Sequence, residues 1–340
     1  MEQKGIKPDI FERRSRVGDR FVNCEILLST LTQPIDDILK HLAEKHDIYL
    51  KPRNKIERLI IHSENEKAVI EGHLGYTNLR GRNKDALEKQ LAEQVNSSIK
   101  YNSEKTYRQL QNEYSYLIFA TGDGRHAEKM QNYRTDITVT LYGGFVRGNF
   151  EEQTVMAWMN NNFAPRGYGY LIPTSTEKAN IVIAFPEYRN IQEKNYEKLW
   201  ANFKREISLL MGQEINVFDR FEKHSYYIGL CQQAQVDNIL FTGNNFGSIM
   251  PFLGFGQAES LLTGIWAARA ITEKKDYNKL TTPLRKSYEN SLTLRKMVEK
   301  LDNPRLDRLV KSMNGRIGNK IFNPGGNYLK ILGKILKPLV

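Results

Sequence analysis

Residues 238–271, NILFTGNNFGSIMPFLGFGQAESLLTGIWAARAI, constrain this chain more than any other stretch. Ile239, Leu240 and Phe241 form a short apolar run of the kind that makes a buried strand. A loop punctuated by Gly243, Gly247, Gly254 and Gly256 follows. Then Ala258, Leu261, Leu262, Ile265 and Trp266 recur at helical spacing, continuing to Ala270. Gly264, Ala267 and Ala268 are small enough to let that helix lie close on a sheet. A strand, a glycine loop and a helix together aim backbone N–H groups and the positive end of a dipole at an anion. An ordinary strand-to-helix turn has the same glycine spacing, so the spacing leaves both readings open.

The bulk numbers exclude several classes. A chain of 340 residues with 40% hydrophobic and 26% charged residues can bury a substantial core. It has no apolar run long enough to span a bilayer. The opening, MEQKGIKPDIFERR, is too charged for a secretory leader. Two cysteines, Cys24 and Cys231, suit a reducing, cytoplasmic compartment without a disulfide framework. The six histidines lack ligand spacing, so no metal is expected. The net charge is +11, but the bases are mixed with acids and no nucleic-acid motif accompanies them. The charge therefore points to anionic cofactors or substrates, or to an anionic surface, rather than to nucleic acid.

Local patterns fill in the rest. Residues 34–45 read as a helix, with Pro34 in its first turn, Asp36 and Asp37 at the positive end, and Ile38, Leu39 and Leu42 as the apolar stripe. Short alternations (Ile48 and Leu50, Leu59 and Ile61, Val69 and Ile70) predict strands across 47–79. Leu87, Leu91 and Val95 predict a helix after Arg80-Gly81-Arg82. Leu117 to Ala120 reads as a buried strand ending in Thr121-Gly122-Asp123-Gly124, where the glycines permit close backbone approach and a positive φ. The same Asp-Gly pair could instead turn a hairpin. Residues 135–186 read as an antiparallel sheet that includes Tyr168 and Tyr170, which the alternation would place on opposite faces. These aromatics suit either a core or an apolar tunnel. Helices are expected over 194–211, from Pro283 to Leu301, and from Pro304 with Asn303 as cap. In the tail, residues 327–340, Leu329, Leu332, Ile335, Leu336 and Leu339 share a face apart from Lys330, Lys334 and Lys337. That pattern suits a docking helix or a peripheral contact with the inner face of a membrane. Gly333 and Pro338 weaken either helix.

Three of these segments together resemble the FAD-dependent oxidoreductases of the geranylgeranyl reductase and p-hydroxybenzoate hydroxylase superfamily. Gly243-Asn244, then Pro251, Gly254 and Gly256, resembles its second flavin-binding motif, with Asn244 where the family has an acid. Asn can still accept a ribityl hydroxyl, without charge assistance. Ala120-Thr121-Gly122 with Asp123 and Gly124 resembles the strand end that approaches the cofactor. Ile10-Phe11-Glu12-Arg13 resembles the strand whose acid holds the adenosine ribose. On that resemblance the glycine fingerprint, about 20 residues before the acid, falls ahead of Met1. Met1 to Lys4 would then be the tail of the phosphate-binding helix, with Gly5 as its cap.

The resemblance implies an α/β (α+β) chain. An incomplete Rossmann-like FAD-binding domain would comprise 1–46, 80–134 and 232–280. An inserted antiparallel β-sheet substrate domain would comprise 47–79 and 135–231, and C-terminal helices would occupy 281–340. The implied cofactor residues are Glu12, Arg13, Arg82 (or Arg80, toward a phosphate), Asp123, Gly124, Gly243, Asn244, Pro251, Gly254 and Gly256. Cys24 is a weak candidate at the active site, because Glu25 follows it where the family has glycine; a small buried thiol is the plainer reading. Tyr168 and Tyr170 lie in a segment resembling the lining of a substrate cavity over the flavin. The implied function is hydride transfer from reduced FAD to a carbon–carbon double bond of an apolar, lipid-like substrate, with NAD(P)H as an electron donor. A monooxygenase using NAD(P)H and oxygen, and a non-catalytic remnant of a flavoprotein, are the alternatives.

Overall fold

The computed structural model of the chain describes residues 1–32, 35–187, 196–322 and 328–339, the side chains of 328–330 excepted. The elements run β1 (Ile10–Phe11), β2 (Asn23–Leu28), α1 (Ile38–His46), β3 (Asn54–His62), β4 (Lys67–Arg80), α2 (Leu87–Ala92) and β5 (Ile99–Lys100). Next come α3 (Tyr107–Leu110), β6 (Leu117–Phe119), α4 (Arg125–Lys129), β7 (Tyr133–Arg147), β8 (Thr154–Trp158), β9 (Tyr168–Ser175) and β10 (Lys178–Pro186). Then follow α5 (Tyr196–Met211), β11 (Asn216–Cys231), β12 (Gln235–Val236), β13 (Ile239–Phe241), α6 (Gln257–Thr272) and α7 (Tyr277–Val298). The C-terminal elements are α8 (Asn303–Ser312), α9 (Arg316–Phe322) and α10 (Tyr328–Leu336).

Among the described residues, the largest sheet has the order β11-β7-β10-β9-β8-β3-β4-β2. Its neighbours are antiparallel except β3 and β8, which run parallel. The sheet curls strongly. The backbone N–H of Cys24 on edge strand β2 donates to Asn180 Oδ1 on β10 at 3.0 Å, and Asn180 Nδ2 donates to Gly144 O on β7 at 3.0 Å. β2 and β4 touch at Gly75, whose φ is +143° and where any Cβ would lie 1.9 Å from Leu27 O. One face of the sheet is sealed by α5, whose Leu199, Trp200, Phe203 and Ile207 are buried against it. Each such side chain contributes about 1.5–3 kcal/mol by leaving water. The other face is covered partly by α8, α9 and α10, and partly borders a cavity.

Two small parallel pieces stand beside the sheet. β1 pairs with β5, and β6 pairs with β13. Among the described residues the opposite edges of β1 and β6 pair with no strand, and both border the same cavity. Because β6 is parallel to β13 and runs through Asp123-Gly124 into α4, the hairpin reading of that Asp-Gly pair is set aside.

Several local expectations shift. Asp37 caps α1, accepting from Leu39 N and Lys40 N, and Ile38, Leu39 and Leu42 are its buried face; Pro34 lies outside the described residues. Ile48 and Leu50 are in no strand; they pack on the α1–α6 cluster instead. α2 ends at Ala92, leaving Val95 exposed. α7 starts at Tyr277, capped by Asp276, so Pro283 sits inside the helix rather than at its start. The cap of α8 is Asp302, which accepts from Arg305 N; Asn303 is the first helical residue. Gly264 faces open space at the cavity, so Ala267, not Gly264, makes the close packing of α6. In the tail, Leu332 and Leu336 are buried in the core and Ile331, Ile335 and Leu339 pack against it, which leaves that face occupied by protein. The side chains of Leu329 and Lys330 lie outside the described residues. No helix among the described residues is long and apolar enough to cross a membrane.

Candidate functional site

The site is one elongated cavity of about 1750 Å³ between the large sheet, the two parallel pieces and the N-terminus of α6. Three turns separated in sequence meet on it. Glu12 follows β1 and accepts from Arg14 N at 2.8 Å. Asp123 follows β6 and accepts from Arg125 N at 3.3 Å. Asn244 follows β13, and its Nδ2 donates to Gly122 O at 2.7 Å and to the Tyr226 hydroxyl at 2.8 Å. The turns after β6 and β13 are therefore tied directly together. Asn245 adds to the tie, donating to Thr121 O and accepting from Ala127 N. Asn244 Oδ1 keeps its acceptor capacity.

Most of the residues singled out in the sequence border this cavity. Arg13 is exposed at its rim, and Arg82 stands on its wall, paired with Asp19 at 3.2 Å. Gly243, Pro251, Gly254 and Gly256 form the loop leading to α6. Gly254 has φ +71°, a left-handed conformation that disfavours side chains, and its missing Cβ would stand 3.4 Å from the Tyr168 hydroxyl. Gly256 starts α6 without any side-chain cap, so first-turn N–H groups open toward the cavity. Gly124 is the exception. It has an ordinary φ of −77° and is buried under the Tyr133 ring, 2.4 Å from where a Cβ would be. Gly122, with nothing within 4 Å, is the glycine that faces the cavity there.

Cys24, Tyr168 and Tyr170 also border the cavity. The Cys24 thiol is fully buried, and burial together with the neighbouring Glu25 pushes its pKa well up, so it stays a thiol. That environment suits a packing residue and not a nucleophile. Tyr168 and Tyr170 lie on the same face of β9, contrary to the alternation first assigned, because strand neighbours two apart always share a face. Their rings are 6.0 Å apart; Gly169 between them faces Phe203 on the other side. Tyr168 donates to Leu253 O at 2.5 Å and so braces the loop before α6. Tyr170 has no hydrogen-bond partner among the described residues, and burial, with Tyr168 and Glu25 nearby, holds its pKa well above the ordinary phenol value.

Of the ionic centre of the cavity, only Arg80 was singled out in the sequence, and that toward a phosphate. Burial opposes ionisation of Glu25, but Arg80 and Arg20 overcome it and pull its pKa down to about 2. Glu25 Oε2 accepts from Arg80 Nη1 at 2.7 Å and from Gln257 Nε2, at the start of α6, at 2.6 Å; Oε1 accepts from Asn23 Nδ2 at 2.9 Å. Arg80 also donates to Glu88 at 2.8 Å, so it is committed and not free for a phosphate. A signal existed: a carboxylate in Asn23–Leu28, an otherwise largely apolar strand, needs a partner to be buried.

Beyond this centre the cavity has an apolar lobe against the sheet, bordered by Leu59, Ile61, Val155, Ile172, Phe252 and Val298. The residues present fit a flavin dinucleotide on three counts. α6 presents an uncapped N-terminus, Gly243 and Gly254 leave room in left-handed turns, and Asn244 and Asp123 offer acceptors beside them.

No family model matches the chain. Solved structures do. A geranylgeranyl bacteriochlorophyll reductase-like protein from Thermoplasma acidophilum superposes with TM-score 0.70 at 16% identity, covering 99% of this chain and 94% of that one. The flavin-dependent brominase Bmp2 gives 0.63 at 13%, covering 97% and 88%. A flavoprotein/dehydrogenase from Cytophaga hutchinsonii gives 0.60 at 13%, covering 98% and 87%. At these identities the likeness concerns architecture: the chain shares the mixed α/β fold of these three proteins.

Proposed function

We propose that the protein is a flavin-dependent oxidoreductase that holds FAD along this cavity and reduces a carbon–carbon double bond in an apolar, isoprenoid- or lipid-like substrate. The observation that carries the reading is the adjacency of two environments in one cavity. An uncapped helix N-terminus and glycine turns stand beside an apolar lobe. FAD would supply hydride and would draw on NAD(P)H for electrons. Gly243, Asn244, Gly254 and Gly256 would hold it, with Asp123 and Glu12 on its hydroxyls and the α6 dipole favouring negative charge at its near end. The protein's own part is orientation, exclusion of water by the apolar lobe, and a proton on Tyr170. Its phenol stays protonated and has no other partner among the described residues.

The test is reconstitution. Purified protein incubated with FAD should turn yellow and quench flavin fluorescence. Reduced anaerobically, it should then convert a polyprenyl substrate to a product two mass units heavier. Peroxide release in air on NAD(P)H addition, without a reduced product, would favour a monooxygenase. Failure to retain FAD would remove the proposal.

A further inference from the structure

Arg20 and Glu25 form a donor–acceptor pair with unused capacity on both members. Glu25 is 30% exposed, and that exposure opens on the cavity it lines. A carboxylate offers about four acceptor positions. Oε2 uses its two on Arg80 and Gln257, while Oε1 uses one on Asn23. One position on Oε1 is left.

Arg20 is 31% exposed and also lines the cavity. Its Nη2 donates to Asn23 Oδ1 at 2.9 Å and stands 3.7 Å from Glu25 Oε1. Among the described residues, its Nε and Nη1 donate to nothing. The guanidinium lies over the Phe21 ring at 4.7 Å, and Phe21 stacks on Phe221 with rings 4.3 Å apart and 11° from parallel. All three border the cavity. The pair is thus oriented by a built support and is not a loose surface ion pair. Tyr168, Tyr170 and Tyr226 are close enough to feel the Glu25 charge.

A fixed acceptor beside a fixed donor, both on one wall, is complementary to one chemical pattern. That pattern is a planar edge that presents an N–H next to a C=O. A carboxylate ligand would be repelled by Glu25, and a simple cation by Arg20 and Arg80.

We infer that Arg20 and Glu25 read an imide or amide edge, –CO–NH–, of a planar ring bound in the cavity, with Glu25 accepting the ring N–H and Arg20 donating to the adjacent carbonyl. This deepens the flavin reading, resting on it for the choice of ring: the isoalloxazine carries such an edge at N3.

The experiment uses the whole protein and two bare rings, lumiflavin and 3-methyllumiflavin, with binding followed by fluorescence quenching. Methylation removes only the N–H. Lumiflavin is expected to bind at least about tenfold more tightly than its methylated form, the lower bound for a hydrogen bond to a charged group. Arg20→Met, which leaves the Glu25–Arg80 pair intact, should weaken both rings while keeping their ratio. Glu25→Gln should abolish the ratio. Equal binding of the two rings to the wild type, or binding of neither, overturns the inference. FAD titrated in parallel separates the two claims. FAD retained without N–H discrimination sinks this inference alone, whereas discrimination without FAD retention sinks the cofactor reading alone.

Discussion

Arg80 bridges two carboxylates: its Nη1 donates to Glu25 at 2.7 Å and its Nε to Glu88 at 2.8 Å. Glu88 in turn accepts from the backbone N–H of Gly81 at 2.8 Å, which fixes the turn after β4. Arg80→Met would take from Glu25 and Glu88 their shared cation, leaving Glu25 with Arg20 at 3.7 Å. Breaking a buried pair costs about 3–5 kcal/mol; the partial exposure here places the expected loss at ~3 kcal/mol. Urea denaturation of the variant should show it, and Arg80→Lys should recover part.

Acid should unfold the protein through the same centre. The Glu25 pKa in the folded chain is about 2, below its ordinary 4.5. The stability it contributes is complete above pH 4.5 and is lost as pH falls from there toward 2. Melting temperature measured against pH should drop through that window, and the drop should shrink in Glu25→Gln.

Glu259 predicts the opposite slope. It is 6% exposed in the first turn of α6, and burial pushes its pKa up to about 7. The unfolded chain therefore releases this proton first, and stability falls as pH rises from 4.5 to about 7. Glu259→Gln should stabilise the protein by about 3 kcal/mol at pH 8 and leave it unchanged at pH 4. Equal effects at both pH values would contradict the assignment.

Two glycines with positive φ should respond differently to alanine. At Gly75 the added Cβ would meet Leu27 O at 1.9 Å, forcing β2 off β4; the loss should be on the order of 4 kcal/mol or more. At Gly212, φ +59°, nothing lies within 4 Å, so only the backbone cost of ~1 kcal/mol applies. Thermal melts of the two variants side by side check the contrast.

The two tyrosines of β9 should separate kinetically. Tyr170→Phe should slow substrate reduction by about 10²-fold, the lower range for a lost general acid, with FAD affinity unchanged and the solvent isotope effect altered. Tyr168→Phe removes the brace on Leu253 O and should weaken FAD retention by about 1 kcal/mol instead.

Local chemistry alone indicated much of this architecture. The run Ile239-Leu240-Phe241, the glycines after it and the helical spacing that follows predict β13, the loop and α6, since each depends on neighbours a few residues away. The same holds for β6, for the Ile38, Leu39 and Leu42 face of α1, and for the antiparallel strands over 135–186. Gly124 was misjudged for the same reason: Asp-Gly has a local meaning, but the Tyr133 ring that buries it arrives from another strand.

What the sequence by itself determined is therefore the set of turns that can approach an anion, together with the order in which they come. Tertiary structure alone decided which charges meet on the cavity wall. Glu25 finds Arg80, 55 positions away, because β2 pairs with β4, and Gln257, 232 positions away, because edge strand β2 lies against the start of α6. A carboxylate taken out of water must be paired, but no local pattern says with which cation; only the register of β2 on β4, which sets Asn23 opposite Arg80, selects it.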